Sequence, residues 1–381
     1  MTAVAAASRF DRAEASPSDE HRLFRESARR FFETECAPYQ DSWERTGAIP
    51  RSIWTRAAEL GLLGARVPQR LGGYGVDFLF SAILAEEQVL AGGRLPAFWT
   101  HSDFAAPLVA NFATAEQQRR LLPAMCAGEK LATVAAGEFA AASSRPLEAH
   151  RERGGYRLSG RLGGIVNGGA ADVVVAPATS GGSISLFIIE AESASGLTRG
   201  PSRRVLGDPA ADIARLELQD VFVPFANLLG GVEGKGEEQL AERVSEQRLL
   251  FGVRACADIE RALTLTIDYV KARSVFGKRL IEFQNTRFKL AEAKTEAAIL
   301  RVLLNRSIGD LLAGRLDPAR SAALVCLALE RQGTIIDDCL QLHGGYGYIL
   351  DFPIARMWRD ARPARLAVAS GAILADLINS A

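Results

Sequence analysis

A chain of 381 residues, 48% apolar and 24% charged, is too long for one hydrophobic core and has the make-up of a folded protein of two or three domains. Its 45 Lys and Arg balance its 45 Asp and Glu, so no charge excess points to nucleic acid or to an anionic membrane. Cys36, Cys126, Cys256, Cys326 and Cys339 form no CxxC pair, and four scattered histidines are too few for a multi-His metal site.

An odd, dispersed set of thiols reads as reduced and buried in a cytoplasmic protein. No apolar run is long enough to cross a bilayer, and the first residues lack the basic start and apolar core of a signal peptide.

After a flexible arm over residues 1–15, Ser16-Pro17-Ser18-Asp19 reads as a helix start, with a hydroxyl cap, an early proline and an acid facing the helix dipole. Leu23, Phe24, Ala28, Phe31 and Phe32 repeat at helical spacing, and Pro38 is expected to close that helix. Further helices are predicted over 53–61, 78–91 and 115–125. The glycine-rich loop Val67–Gly75 lacks the G-x-G-x-x-G order and a strong preceding strand, so no dinucleotide fingerprint is read there. From Leu131 glycine, serine and β-branched residues dominate, and strands are predicted at 156–160, 173–176, 184–189 and 214–218. Their alternation between turn signals suits a small antiparallel barrel or sandwich. A glycine-rich linker over 230–236 leads to four long apolar-periodic segments, 238–272, 284–313, 317–342 and 361–379, the pattern of an antiparallel bundle.

The expected class is therefore α+β, mainly α: an N-terminal α-helical domain (1–128), a middle β-barrel (129–236) and a C-terminal four-helix bundle (237–381).

Two stretches of the bundle stand out. Tyr269–Gln284 reads YVKARSVFGKRLIEFQ, and Gln341–Tyr348 reads QLHGGYGY, running on to Pro353 and Arg359-Asp360. Gly344 and Gly345 can take positive φ at a helix end, and they can also let backbone approach a phosphate; a plain helix cap is the alternative. With Pro50 and Trp54, ELGLLG (59–64), Pro68, Gly72-Gly73, Glu86-Glu87, VFVP (221–224) and Leu229-Gly230, these motifs resemble the acyl-CoA dehydrogenase family over residues 18–379.

The resemblance implies FAD held between barrel and bundle, an acyl-CoA or carrier-bound acyl thioester as substrate, and a glutamate that removes its α-proton. At the position of that base, read in register from Arg359-Asp-Ala-Arg362, this chain has Val368. At the alternative position on the first bundle helix it has Gln247, a neutral amide. Glu246 is a substitute base ~100° round the helix, or else a solvated face residue. The flavin-facing motifs also depart: Gly137-Glu138-Phe139 leads to Ser143-Ser144, Gly164-Ile-Val166-Asn-Gly168 lacks a hydroxyl, and all four tryptophans lie outside the barrel segment. What matches is the set that a family subunit lends to its neighbour's FAD: Arg273 on the pyrophosphate, Phe276 near the adenine, Gln284, Gln341, Gly344 and Gly345; Ser143 and Val166 stand at the remaining contacts. His343 could touch phosphate or be a satisfied helix-end histidine.

These implications favour a non-catalytic or half-site subunit in an α2β2 heterotetramer with a catalytic paralogue, whose FAD it helps to hold. The alternative is a self-sufficient homotetrameric flavoenzyme with altered chemistry. Electron-transfer flavoprotein is a possible acceptor, and fatty acid, steroid or polyketide metabolism the setting.

Overall fold

The computed structural model describes residues 18–135, 146–368 and Ile373, except for the side chains of 366–368. In chain order its helices are α1 (Asp19–Phe31), α2 (Gln40–Thr46), α3 (Arg51–Glu59), α4 (Phe78–Ala91), α5 (Pro96–Trp99), α6 (Ala106–Phe112) and α7 (Ala115–Cys126). The strands β1 (Ala132–Val134), β2 (Leu147–Glu152), β3 (Gly155–Ile165), β4 (Val173–Ser180), β5 (Ser183–Glu190), β6 (Leu197–Arg199) and β7 (Ala214–Pro224) follow. Then come α8 (Gly236–Ala272), the hairpin β8 (Ser274–Val275) and β9 (Lys278–Arg279), α9 (Gln284–Leu312), α10 (Pro318–Leu342), α11 (Pro353–Asp360) and α12 (Arg362–Val368). The chain divides into two compact units, one of residues 30–77 and 91–247, the other of the segments up to Arg29, 78–90 and from 248 onward.

In the first unit the sheet runs β1-β4-β2-β3-β7-β6, with β5 on the other edge of β4. Most neighbours are antiparallel, as the alternation predicted. β1 and β2, however, both run parallel to β4, pairing at Val173–Val175 and at Ala178–Thr179. Strand β4 serves two cores. Val173 and Val175 pack with Leu108, Leu122 and Met125 of the helices, whereas Val174, Ala176 and Ala178 pack with Leu158, Leu162 and Leu216 inside the curl of the sheet. Covered on both faces, the strand is apolar at every position from Val173 to Ala178 rather than at alternate ones. Gly163-Gly164, open in sequence between a wide pocket and a turn, form a bulge in β3, where its register with β7 shifts between Leu162 and Ile165.

Two local expectations are corrected. Pro38 does not end helical structure: the chain passes from α1 through a π-turn (Phe32–Cys36) and a 3-10 turn (Ala37–Tyr39) into α2, because a proline in a first turn gives up no needed N–H. Residues 96–112, not predicted as helical, form α5, a π-helical stretch (Thr100–Ala105) and α6. Polar residues at the centre of this segment are buried all the same: Thr100, His101, Ser102 and Asp103. The His101 ring is fixed at both nitrogens. Nδ1 accepts from the Ala132 N–H at 2.9 Å, and Nε2–H donates to the Met125 carbonyl at 3.0 Å, so burial holds its pKa down at about 4.

The second unit is helical. Its interior holds an ion network: Arg25 meets Glu86 Oε2 at 2.7 Å and also Glu87, Arg29 meets Glu87 at 2.8 Å, and Arg301 meets Glu86 and Glu260 at 2.9 and 2.7 Å. Both Glu86 and Glu87 are fully buried, so these arginines are what make their charges tolerable. Helix α1 is thereby tied to α4, and α4 to α8 and α9. All five cysteines are free, and four are buried.

Candidate functional site

Helix α8 ends where Arg273 N–H bonds back to the Tyr269 carbonyl at 2.8 Å, and the chain then doubles back through the two-stranded hairpin β8–β9. Its turn residues Phe276 and Gly277 have φ of +50° and +76°, the left-handed pair of a tight hairpin. Glycine is at ease there; phenylalanine is not, and Phe276 is 97% exposed.

Helix α10 ends alongside. Gly344 takes φ +58° and begins a 3-10 turn (Gly344–Tyr348). Together the two helix ends wall a groove of about 650 Å³ lined by Tyr269, Arg273, Gln341, His343, Gly344 and Tyr346, among others. The Arg273 guanidinium lies over the Tyr346 ring, 5.6 Å from its centroid.

The three glycines of the turn divide by cause. A Cβ on Gly347 would meet the Leu340 carbonyl oxygen at 2.5 Å, so its own helix demands glycine. Gly344 is required by its left-handed φ. Gly345 has neither reason: its φ is unexceptional, and a Cβ there would meet no described atom within 4 Å. A groove wall kept bare for no internal reason, beside an arginine and a primary amide, is suited to an anion with several oxygens.

His343 lies at the back of this wall, 5% exposed. Its ring stacks on Tyr269 at 4.3 Å, its Nδ1–H donates to the Cys339 carbonyl at 2.8 Å, and the Tyr269 hydroxyl donates to its own carbonyl at 3.2 Å.

The structure thus gathers Arg273, Gln341, Gly344 and Gly345 around one groove. Phe276 at the hairpin tip and Gln284 at the start of α9, both exposed, do not line it. Val166 lies in the other unit, in the turn after β3, where its carbonyl accepts from the Thr133 hydroxyl at 2.7 Å. Ser143 falls outside the described residues, as do Glu138, Ala369 and Ser370; of Val368 only the backbone, at the end of α12, is described. Sequence reasoning did not single out Tyr269, which supports the groove from α8; its place four residues before Arg273 on one helix face was the available signal.

Of the residues expected at a base position, Gln247 is 4% exposed and its side-chain NH2 has no partner among the described residues. Glu246 is not the solvated residue that its place on the helix suggested. Its carboxylate accepts from Arg66 Nη2 at 2.7 Å and Nη1 at 2.8 Å and also meets Arg243, and only 14% of the side chain is exposed. With both oxygens bound by guanidinium N–H groups, it is poorly placed to take a proton from carbon. Arg66 has its pKa raised despite its burial, by its bonds to Glu246. Burial lowers that of Arg243. No group of His, Cys, Asp and Glu among the described residues could hold a metal ion, and no described helix is long and apolar enough to cross a membrane.

Comparison with known proteins bears on what this groove serves. The model of the acyl-CoA dehydrogenase N-terminal domain matches residues 18–129, and that of the C-terminal domain matches residues 234–381. The long-chain specific acyl-CoA dehydrogenase, mitochondrial, of Rattus norvegicus is 34% identical over 371 residues, covering 95% of this chain and 86% of its own. Among solved structures, the acyl-CoA dehydrogenase from Geobacillus kaustophilus has a TM-score of 0.91 at 33% identity, over 97% of this chain and 99% of the other. The acyl-CoA dehydrogenase complexed with FAD from Bacillus anthracis gives 0.85 at 26% identity, over 96% and 67%.

Proposed function

The chain belongs to the acyl-CoA dehydrogenase family, and from that premise we propose that it is a half-site subunit, which completes the FAD site of a catalytic paralogue instead of drawing the α-proton itself. The observation that carries the proposal is the contrast between the residues expected to hold a cofactor and those expected to take the proton. The groove keeps an arginine, an amide and an internally unexplained Gly345, while the two base positions hold Gln247 and Val368 and the neighbouring Glu246 is consumed by Arg66 and Arg243.

The residues of the groove fit a dinucleotide. Arg273 offers a planar fork of N–H donors to pyrophosphate oxygens, held in place by the Tyr346 ring. Gln341 offers both a donor and an acceptor, and Gly345 lets backbone come close. When bound, FAD supplies the acceptor for a hydride leaving the β-carbon of an acyl thioester. Gln247 can donate or accept a hydrogen bond, but an amide holds no exchangeable proton vacancy at neutral pH, so α-proton removal falls to the partner's carboxylate. An α2β2 assembly in the cytoplasm, passing electrons to an electron-transfer flavoprotein, follows from this reading.

A second reading has support of its own: whole-length likeness to a long-chain specific acyl-CoA dehydrogenase favours a self-sufficient homotetramer with altered chemistry or a relocated base. One experiment separates the two. The chain is purified alone and co-expressed with candidate paralogues, and flavin absorbance, subunit ratio and α-proton exchange of an acyl-CoA are recorded. A colourless lone chain that becomes yellow and active only with a partner supports the half-site reading. A flavin-loaded, exchanging homo-oligomer rejects it.

A further inference from the structure

We propose that His343 is a proton-linked contact of the groove: it takes up one proton when a pyrophosphate is seated beside Gly344 and Gly345. The inference rests on the reading of the groove as a dinucleotide phosphate site and goes beyond it.

The geometry fixes both the tautomer and the direction of the ring. A carbonyl oxygen can only accept, so the 2.8 Å bond to Cys339 places the neutral imidazole's proton on Nδ1 and leaves a lone pair on Nε2. Stacking on Tyr269, whose hydroxyl also holds the His343 carbonyl, sets the plane of the ring, and the bond to Cys339 sets which nitrogen faces its own helix. Nε2 has no protein partner among the described residues, and the residue lines the groove.

The groups around it set the sign of the effect. Tyr269 faces it from α8, with Arg273 just past that helix's end. On its own helix α10 stand the Cys339 thiol, its pKa raised by burial to about 11, and Asp338, which is paired with Lys289. Tyr346 comes from the glycine turn. Among the described residues no carboxylate lines the groove, and burial holds the His343 pKa below its ordinary value.

Near neutral pH the neutral ring of this lining residue carries a lone pair at Nε2, which repels a phosphate oxygen that approaches it. Protonation turns the same atom into a charged donor. A seated pyrophosphate raises the His343 pKa, so binding takes up a proton in the interval between the free and bound values. Affinity rises as pH falls through the bound-state pKa and levels off below the free-state one.

The probe is ADP-ribose, which contains a pyrophosphate but no phosphate monoester, and so adds no titration of its own in this range. Binding to the full-length protein, in the assembly in which it purifies, is measured between about pH 8 and about pH 6 by calorimetry, with imidazole C–H resonances followed by NMR. The four histidines make the spectrum tractable, and His343→Asn assigns the signal. The expected result is an upward move of the His343 midpoint by about one pH unit and about three- to tenfold tighter binding at the lower pH. His343→Asn, which keeps a donor for the Cys339 carbonyl, and His343→Gln, which places a non-titrating amide near the Nε2 position, both bind with an affinity insensitive to pH. Binding that leaves the His343 midpoint unmoved, or a flat affinity in the unmodified protein, overturns the proposal while leaving the groove a phosphate site. No binding of ADP-ribose at either pH overturns both.

Discussion

Arg66 grips Glu246 through two parallel bonds of 2.7 and 2.8 Å, although the residues stand 180 positions apart in the chain. The pair is nearly closed to water, with 13% and 14% of the side chains exposed, and Arg243 adds a third charge. Glu246→Gln removes the carboxylate charge that two buried guanidiniums share and should lower unfolding stability by about 2–4 kcal/mol in denaturant titrations. It should not alter α-proton exchange by the assembled enzyme. Loss of exchange at unchanged stability would instead identify Glu246 as the base.

Gln247→Glu places a carboxyl group at a buried position whose side-chain NH2 has no partner among the described residues. Burial keeps such a group protonated to higher pH than usual, the condition for a base that works near neutrality. The flavin-loaded variant should show α-deuterium exchange of an acyl-CoA by NMR, where the unmodified lone chain shows none. Failure to exchange with flavin seated would mean that the position does not face the thioester.

Gly345 and Gly347 should respond oppositely. Gly345→Ala adds a Cβ where no described atom lies within 4 Å, and a less flexible unfolded chain should raise stability by about 0.4–1 kcal/mol. Flavin retention by the assembly should nevertheless fall. Gly347→Ala meets the Leu340 carbonyl at 2.5 Å and should destabilise by about 1–3 kcal/mol. Thermal unfolding and flavin content of the two variants separate binding from folding.

Arg273→Ala removes an exposed side chain whose guanidinium lies over the Tyr346 ring. Stability should stay within ~0.5 kcal/mol. Loss of a charge-assisted phosphate contact, worth about 1.5–3 kcal/mol, should weaken FAD retention by about 10–100-fold, read by equilibrium dialysis.

Stability should fall in mild acid through His101. Its folded pKa of about 4 lies below the ordinary 6.5, so below that higher value the unfolded chain binds a proton that the folded one refuses. The contribution is complete above about pH 6.5 and is lost as pH falls towards 4, amounting to about 3 kcal/mol. His101→Gln keeps a donor for the Met125 carbonyl and should flatten the slope of urea-derived stability against pH over this interval.

How legible each element was in the sequence follows from where its determinants lie. β4 was readable because Val173-Val-Val-Ala is apolar on both faces, whereas β1 and β6, three residues each, carry too little pattern and exist through their partners. Residues 100–103 look like a polar loop and are buried by tertiary contacts no local signal announces. Arg273, Gln341 and the glycines could be named because their motifs are contiguous. The state of Glu246 could not, since it depends on Arg66 arriving from a distant part of the chain.

The buried acids of α4 have a consequence for how the chain must be made. Arg25 and Arg29 leave the ribosome before Glu86 and Glu87, which follow some sixty residues later, and Arg301 comes much later than these. A truncation that begins after α1 would strand both carboxylates in an apolar interior with only part of their neutralising charge. Trimming the amino terminus for expression should therefore stop short of Arg25, however dispensable that first helix looks.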